Sequence, residues 1–362
     1  MDRTVVITGS SGYLGSALCA GLAGDHRIVG VDLRHPSPAL RQSTPEAVWE
    51  NLDISDAEAV SSAFQRAVRT HGGIDFIIHL AAYYHYGRRW RREYDIHNIQ
   101  GTRNVIEAAC RAGTGRLIFA ASIASLVPPA AGAALTEEAG DVAEFPYCRS
   151  KAAGERLCAE RLNDLPAVVM RLGGVFSDWC ELPPLYTLMR LWTRRGPIGR
   201  CIPGRGKTGF PYIHRNEVVR VVRRIIEKNE TLARHEVLFA SEDGCTCHED
   251  LFGPIRRLGG QDLSAGPIHI PPQLAIWFLY LKLAANGLAF RRTYEQPWML
   301  AYADRPLRVD TRSTRQKLDW NSKDEYRILN RLPTLMANYR NHRRYWQARN
   351  IRRNEGQYEF EP

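Results

Sequence analysis

Short apolar runs alternate with longer stretches of helical spacing over the first half of the chain. Thr4-Val5-Val6-Ile7-Thr8 is an unbroken apolar run that ends in a glycine-rich turn, and Tyr13 to Leu22 then has helix character. Arg27–Asp32, Asp75–Leu80, Arg116–Ala121 and Ala167–Arg171 repeat the strand pattern. Ala57–Val68, Asn98–Arg111 and Pro146–Leu162 repeat the helical one, with Asp56 placed to cap the first of these. Strands that are apolar throughout are buried on both faces. Their alternation with helices predicts an α/β fold with a doubly wound parallel sheet. Beyond Val175 the alternation weakens, and Pro183-Pro184, Gly196-Pro197, Pro203-Gly204 and Gly206 break the chain into loops.

The first turn reads Thr8-Gly9-Ser10-Ser11-Gly12-Tyr13-Leu14-Gly15. Gly9 suits a tight turn, Gly12 lets a pyrophosphate approach the backbone, and Gly15 permits close helix–strand packing. The following helix offers free N–H groups and its positive dipole end to phosphate. An ordinary strand–helix turn would look similar, so the context decides. Asp32 ends the next strand, where an acid accepts hydrogen bonds from an adenosine ribose and repels a 2′-phosphate. This favours NAD as cofactor, while Arg34 close by keeps NADP open.

Tyr147-Cys148-Arg149-Ser150-Lys151 puts Tyr147 and Lys151 on one helix face. An ammonium near a phenol stabilises the phenolate and makes a usable base near neutral pH. On its own the pair reads as an ordinary helix surface pair. Ser122 changes that, because it follows the Arg116–Ala121 run at the sheet edge where ligands bind in open α/β folds.

Together these residues resemble the extended short-chain dehydrogenase/reductase superfamily, in its NAD-dependent epimerase/dehydratase group. The resemblance rests on Thr8-Gly9-x-x-Gly12-x-x-Gly15, Asp32, Asp53-Ile54, His79-Leu80-Ala81-Ala82, Asn98-x-x-Gly101-Thr102, Ser122 and Tyr147-x-x-x-Lys151, in the family's order. It extends over roughly residues 3–330 and is strongest in the first half. It implies a Rossmann domain over 1–175 with a return segment at about 209–244. A smaller mixed, mainly helical substrate-binding lid would come from 176–208 and 245–330, followed by a basic C-terminal tail over 331–362.

The resemblance also implies roles. Tyr147 would be the general acid/base, Lys151 would hold the nicotinamide ribose and tune Tyr147, and Ser122 would hold the reacting oxygen. Gly9, Gly12, Tyr13, Leu14, Gly15, Asp32, Asp53, Ile54, Leu80, Ala81, Ala82 and Lys151 would bind the cofactor. Asn98 would support the site's backbone or a proton relay. A homodimer through helices near Asn98–Arg111 and Tyr147–Leu162 is expected. Two departures stand out. Ser122-Ile123-Ala124 occupies the place of the Thr-Asp-Glu run of the family's 4,6-dehydratases, which disfavours elimination. His214-Arg215-Asn216-Glu217 replaces a Val-Asp-Asp-like run, which puts the lid geometry in question.

Charge bears on the substrate. The 49 Lys+Arg against 39 Asp+Glu leave a net +10, which favours an anionic partner. Tyr83 to Arg92 should border the substrate cleft with aromatic rings and arginines, and His85, Arg88 and Arg205 are the candidate substrate-binding residues. Arg194, Arg195, Arg200 and Lys207 add positive charge to the lid. These features favour a nucleotide-sugar or related anionic substrate, oxidised or epimerised at a secondary alcohol. The competing sign is Ile270-Pro271-Pro272 ahead of an apolar Leu274–Phe290 segment, with Val309-Asp310-Thr311 and Leu318-Asp319-Trp320 after it. That arrangement resembles the 3β-hydroxysteroid dehydrogenase branch, which acts on apolar alcohols. It leaves membrane-surface contact open, since the segment reads as a buried or interfacial helix. A non-catalytic NAD-sensing regulator is the third reading, disfavoured by the complete Ser122, Tyr147 and Lys151 set.

Scattered cysteines, eight in all, suit reduced thiols in the cytoplasm. Cys245-Thr246-Cys247-His248 lacks a second ligand pair, so no metal is expected. The first strand begins too early to leave room for a targeting segment. The arginines of the tail, with Tyr345 and Trp346 among them, raise a nucleic-acid partner, but not as the main one.

Overall fold

The structure is a computed structural model that describes residues 2–354 except 86, 141, 143 and 289–296. Its centre is a sheet of strands β1 (Thr4–Thr8), β2 (Arg27–Asp32), β3 (Val48–Asn51), β4 (Phe76–His79), β5 (Arg116–Ser122), β6 (Ala167–Leu172) and β7 (His235–Ala240). They lie in the order β7-β6-β5-β4-β1-β2-β3, every pair parallel. Successive residues serve opposite faces. Val5, Ile7, Ile28 and Ile78 join the core under the helices Tyr13–Leu22 and Arg215–Glu227. Val6, Val29, Ile77 and Phe119 join the core under Ala57–His71, Gly101–Arg111 and Pro146–Glu160. Burial on both faces is why these strands read as unbroken apolar runs. The strand order reverses between β1 and β4, which opens a crevice beyond Thr8 and His79.

Helix ends follow local chemistry. Asp56 Oδ1 accepts the Glu58 and Ala59 N–H groups at 3.0 Å, and Gly72 closes that helix at φ 82°. The stretch before Gly101–Arg111 differs from the expected α-helix. Tyr94–Gln100 is a π-helix, a form found mostly at functional sites.

Small strand pairs and helices build the second part around Phe176, Leu185, Met189, Trp192, Tyr212, Leu251 and Ile255. The segment expected to be a basic tail enters this core. Leu332, Leu335, Met336, Tyr339 and Trp346 are buried in it, and Arg349 pairs with Glu181, their side chains 6% and 0% exposed. Its arginines obscured an apolar inner face spaced at three and four residues. The Pro272–Leu288 helix corrects the buried-helix reading. Leu274, Trp277, Phe278 and Leu281, spaced as one helix face, are 52%, 69%, 63% and 67% exposed, while Ala275 packs inward. Residues Ala289 and Phe290 of that segment lie outside the described residues. No helix among the described residues is long and apolar enough to cross a membrane.

Candidate active site

The glycine turn sits at the crevice. Gly9 has φ 72°, and its N–H donates to Val31 O at 2.8 Å. A Cβ on Gly15 would lie 2.0 Å from Gly9 O, so only glycine lets the helix start this close to the strand. Gly12 is the N-cap of that helix and supplies no side-chain cap, so first-turn N–H groups are left for a ligand. Tyr13 is buried and Leu14 half-buried on the same turn. This cradle, which side chains would fill, fits the pyrophosphate of a dinucleotide.

Asp32 is fixed where a ribose would lie. Its carboxylate accepts the Ser11 and Arg34 N–H groups, each at 2.9 Å. The Arg34 guanidinium stands 3.9 Å away, and a cavity of about 260 Å³ borders both, lined also by His35 and Arg41. Asp53 accepts the Ser55 N–H at 2.8 Å. Burial raises its pKa, but that hydrogen bond and His97 outweigh it and hold the carboxyl below its usual range. Ile54 is buried, its side chain under Gly101, and Asn104 Nδ2 donates to the Ile54 carbonyl at 2.9 Å.

His79 ties this floor together. Its ring nitrogens meet Thr8 Oγ1 at 2.6 Å and Thr102 Oγ1 at 3.0 Å, and Thr102 Oγ1 donates to Asn98 O at 2.7 Å. Burial, aided by Lys151, lowers the imidazole to about 3, so it stays neutral. Ala81 N–H donates to Thr8 Oγ1 at 3.3 Å, which sets Leu80, Ala81 and Ala82 beside the glycine turn.

Ser122 ends β5, half-buried, and its Oγ accepts the Ala124 N–H at 3.2 Å. The helix Pro146–Glu160 begins with proline at its first turn and carries Tyr147 half-buried and Lys151 5% exposed. Gly154 lets this helix close on the sheet, since a Cβ there would lie 2.3 Å from the Phe119 ring. The approach sets Lys151 Nζ 4.5 Å from the Phe119 centroid. Burial lowers the Lys151 ammonium to about 8, with Glu155 opposing. Glu155 is itself held by Arg171 at 2.8 Å.

Asn98 was read as a support, and its bonds are specific. It accepts the Tyr83 N–H at 2.6 Å and donates to Tyr83 O at 3.0 Å and Ser150 Oγ at 2.9 Å. Ser150 Oγ donates to Tyr147 O at 2.7 Å. The aromatic segment is thereby joined to the helix of Tyr147, and the Tyr84 ring meets Tyr147 edge-on at 5.1 Å. His85 is half-buried, stacked near Tyr83 at 6.3 Å. Arg88 is exposed on the same segment.

The lid arginines do not gather at this crevice. The Arg205 N–H is held by Asp304 at 2.7 Å and its side chain is exposed. Lys207 pairs with Glu249, and Arg200 Nε donates to Gly266 O at 2.9 Å. Arg194 and Arg195 line a different cavity with Arg340. The His214 segment, whose effect on the lid was in question, is structural. His214 caps the helix Arg215–Glu227, and buried Glu217 accepts the Trp320 indole N–H at 3.1 Å.

Comparison with known proteins agrees with this fold. L-arabinose 1-dehydrogenase (NAD(P)(+)) of Haloferax volcanii is 32% identical over 118 residues, which is 33% of this chain and 40% of that one. The chain thus spans well under half the length of that relative. Sterol demethylase protein B of Methylococcus capsulatus is 24% identical over 67% of this chain and 71% of its own length. UDP-glucose 4-epimerase of Thermotoga maritima, solved with UDP-glucose, shares the fold with a TM-score of 0.68 at 19% identity, covering 94% of this chain and 99% of that one. The family model described as NAD dependent epimerase/dehydratase family matches residues 5–238. The chain belongs to the NAD-dependent epimerase/dehydratase family of enzymes, and its cofactor is NAD.

Proposed function

We propose that the enzyme oxidises a secondary alcohol, with Tyr147 as acid/base, and that its substrate is a nucleotide sugar or a related anion. What supports this reading is the packing of the Tyr147 helix on the β5 end, where Cys148 Sγ donates to Ala124 O at 3.0 Å, with only β4 between β5 and the strand β1 that leads into the glycine turn. Bound NAD supplies the hydride acceptor. Tyr147 Oη takes the hydroxyl proton of the substrate, Ser122 Oγ hydrogen-bonds the same oxygen, and the Lys151 ammonium stabilises the phenolate. The glycine turn holds the pyrophosphate, with Asp53, Ile54, Leu80, Ala81 and Ala82 along the cofactor groove. Release at the ketone gives a dehydrogenase, and return to the opposite face gives an epimer. His85 and Arg88, beside Tyr84, are the substrate-facing residues of this reading, and Arg205, held through its N–H by Asp304, is left out of it.

Asp32 bears on cofactor choice. Asp32→Ala is expected to weaken NAD more than NADP in fluorescence titrations, because the acid favours ribose hydroxyls and repels a 2′-phosphate. Equal losses would refute the ribose role.

A second reading is oxidation of an apolar, hydroxysteroid-like alcohol. The exposed Trp277 and Phe278 face, together with the likeness to sterol demethylase protein B, favours it and would seat the lid at a membrane surface. A panel of UDP-sugars and 3β-hydroxysteroids followed by NADH absorbance separates the two, and product NMR separates oxidation from epimerisation. Turnover confined to steroids would overturn the nucleotide-sugar reading. No turnover in either panel would leave the NAD-sensing regulator.

The reading includes a cytoplasmic homodimer. Eight free cysteines suit a reducing compartment. The helices Gly101–Arg111 and Pro146–Glu160 carry no exposed large apolar side chain, so a dimer through them is polar, with Arg103 and Arg156 at its surface. Light scattering is expected to give twice the 41.0 kDa of one chain, falling towards one chain at high salt.

A further inference from the structure

A cavity of about 450 Å³ opens in the second part of the molecule, and its lining shares no residue with the catalytic crevice. Arg190, Arg194, Arg195, Arg340 and Arg343 converge on it from two separate stretches of chain, and Gly259 and Gln261 close it from a third. We propose that this arginine-lined cavity is a second ligand site, which binds a phosphate-bearing polyanion independently of the catalytic crevice.

None of these guanidinium groups has a carboxylate partner among the described residues. Arginines usually counter the negative end of a helix, and that accounts for part of the set. Arg190 and Arg340 lie in last turns, and Arg340 Nη1 donates to Leu258 O at 3.4 Å. It does not account for the others. Arg194 and Arg195 lie beyond the end of their helix, exposed and with no side-chain partner among the described residues. Arg343 opens the helix Arg343–Asn354, where a cation faces the positive dipole end and no acid stands in the first turn. Like charges gathered without acids repel one another, and an anion that bridges them removes the repulsion. Planar guanidinium forks match phosphate oxygens two at a time.

The cavity size suits a di- or triphosphate group, or the headgroup of an anionic lipid. It does not suit a polynucleotide, which needs open aromatic faces for its bases. The aromatic ring of the cavity is Tyr339, and Arg343 covers it at 5.5 Å. Its hydroxyl is bonded to Thr193 Oγ1 at 2.9 Å, and Trp346 packs against it at 4.9 Å. Trp346, which suggested base stacking in the sequence, is fully buried.

The test uses the full chain saturated with NAD, so that the pyrophosphate cradle of the cofactor is filled. Tripolyphosphate is titrated calorimetrically into wild type and into the Arg194→Ser, Arg195→Ser double variant. In parallel, flotation with vesicles of phosphatidylcholine, with and without phosphatidylglycerol, tests a lipid source. The substituted side chains are exposed, so the variant should fold, and unchanged NAD affinity checks that it has. Expected is binding of tripolyphosphate that weakens at least tenfold in the variant. Flotation with phosphatidylglycerol alone, lost in the variant, would identify a lipid headgroup as the source of the same chemistry. Absence of both, equal binding by the variant, or tighter binding of single-stranded DNA than of tripolyphosphate would overturn the proposal.

Discussion

Tyr147→Phe is expected to cut turnover by ~10²–10⁴-fold, the range for loss of a positioned acid/base, and to leave the NAD dissociation constant within a few-fold. The phenol sits half-buried on a helix locked against Phe119, and its ring contacts Tyr84 edge-on, an interaction that does not need the hydroxyl. The substitution keeps that ring contact and removes the Oη proposed as the proton acceptor. Turnover within tenfold of wild type would refute the assignment. The same chemistry fixes the sign of a pH effect. Burial lowers Lys151 to about 8. As pH rises through that value the ammonium is lost, and with it the charge that favours the phenolate. Wild-type turnover should accordingly fall above pH 8, and Lys151→Met should abolish that limb together with most of the rate.

Gly15→Ala is the second large effect, and it acts on binding rather than chemistry. The added Cβ would stand 2.0 Å from Gly9 O and 2.7 Å from Ser10 Cα. Both are backbone atoms, so no side chain can swing aside. Relief requires the helix to retreat from the strand, which opens the turn that should hold the pyrophosphate. Overpacking of this kind costs about 1–3 kcal/mol of stability. NAD affinity should fall by a hundredfold or more in equilibrium dialysis. A variant that keeps wild-type affinity would show that the cofactor does not rest on this turn.

Much of the sheet was legible because burial on both faces leaves a plain mark, an unbroken apolar run. β3 escaped for the opposite reason. It is an edge strand, Val-Trp-Glu-Asn, with exposed and half-buried residues and no apolar run, and Glu50 faces outward to pair with Arg66 at 2.6 Å. The glycine turn, Asp32, Ser122, Tyr147 and Lys151 could be located because each lies at a strand end or on a helix face set by local spacing. The arginines could not. Their roles depend on which distant helices they meet, and periodicity carries no such information. Arg194 and Arg195 looked like part of the catalytic lid, yet they share a cavity with Arg340, and Arg349 is buried against Glu181. The π-helix at Tyr94–Gln100 was likewise hidden, since one extra residue in a turn hardly disturbs an amphipathic pattern.

That extra residue has a consequence for how the protein can change. Asn98 grips Tyr83 through both backbone groups, and the Tyr94 hydroxyl donates to His85 O. The stretch from Tyr83 to Tyr94 is thus stapled at its base. Arg88 and Arg89 are exposed beyond these bonds, whereas Trp90 and Arg91 are tied back, Trp90 Nε1 to Asp95 at 2.7 Å and Arg91 Nη1 to Tyr83 Oη at 3.2 Å, and the Arg149 guanidinium of the Tyr147 helix lies 5.5 Å from the Trp90 ring. Arg88 and Arg89 can therefore be exchanged or recharged with those ties left in place. The segment carries a short replaceable tip on a fixed socket, and changing the charge at Arg88 and Arg89 is the substitution that alters its surface with the ties to the Tyr147 helix intact.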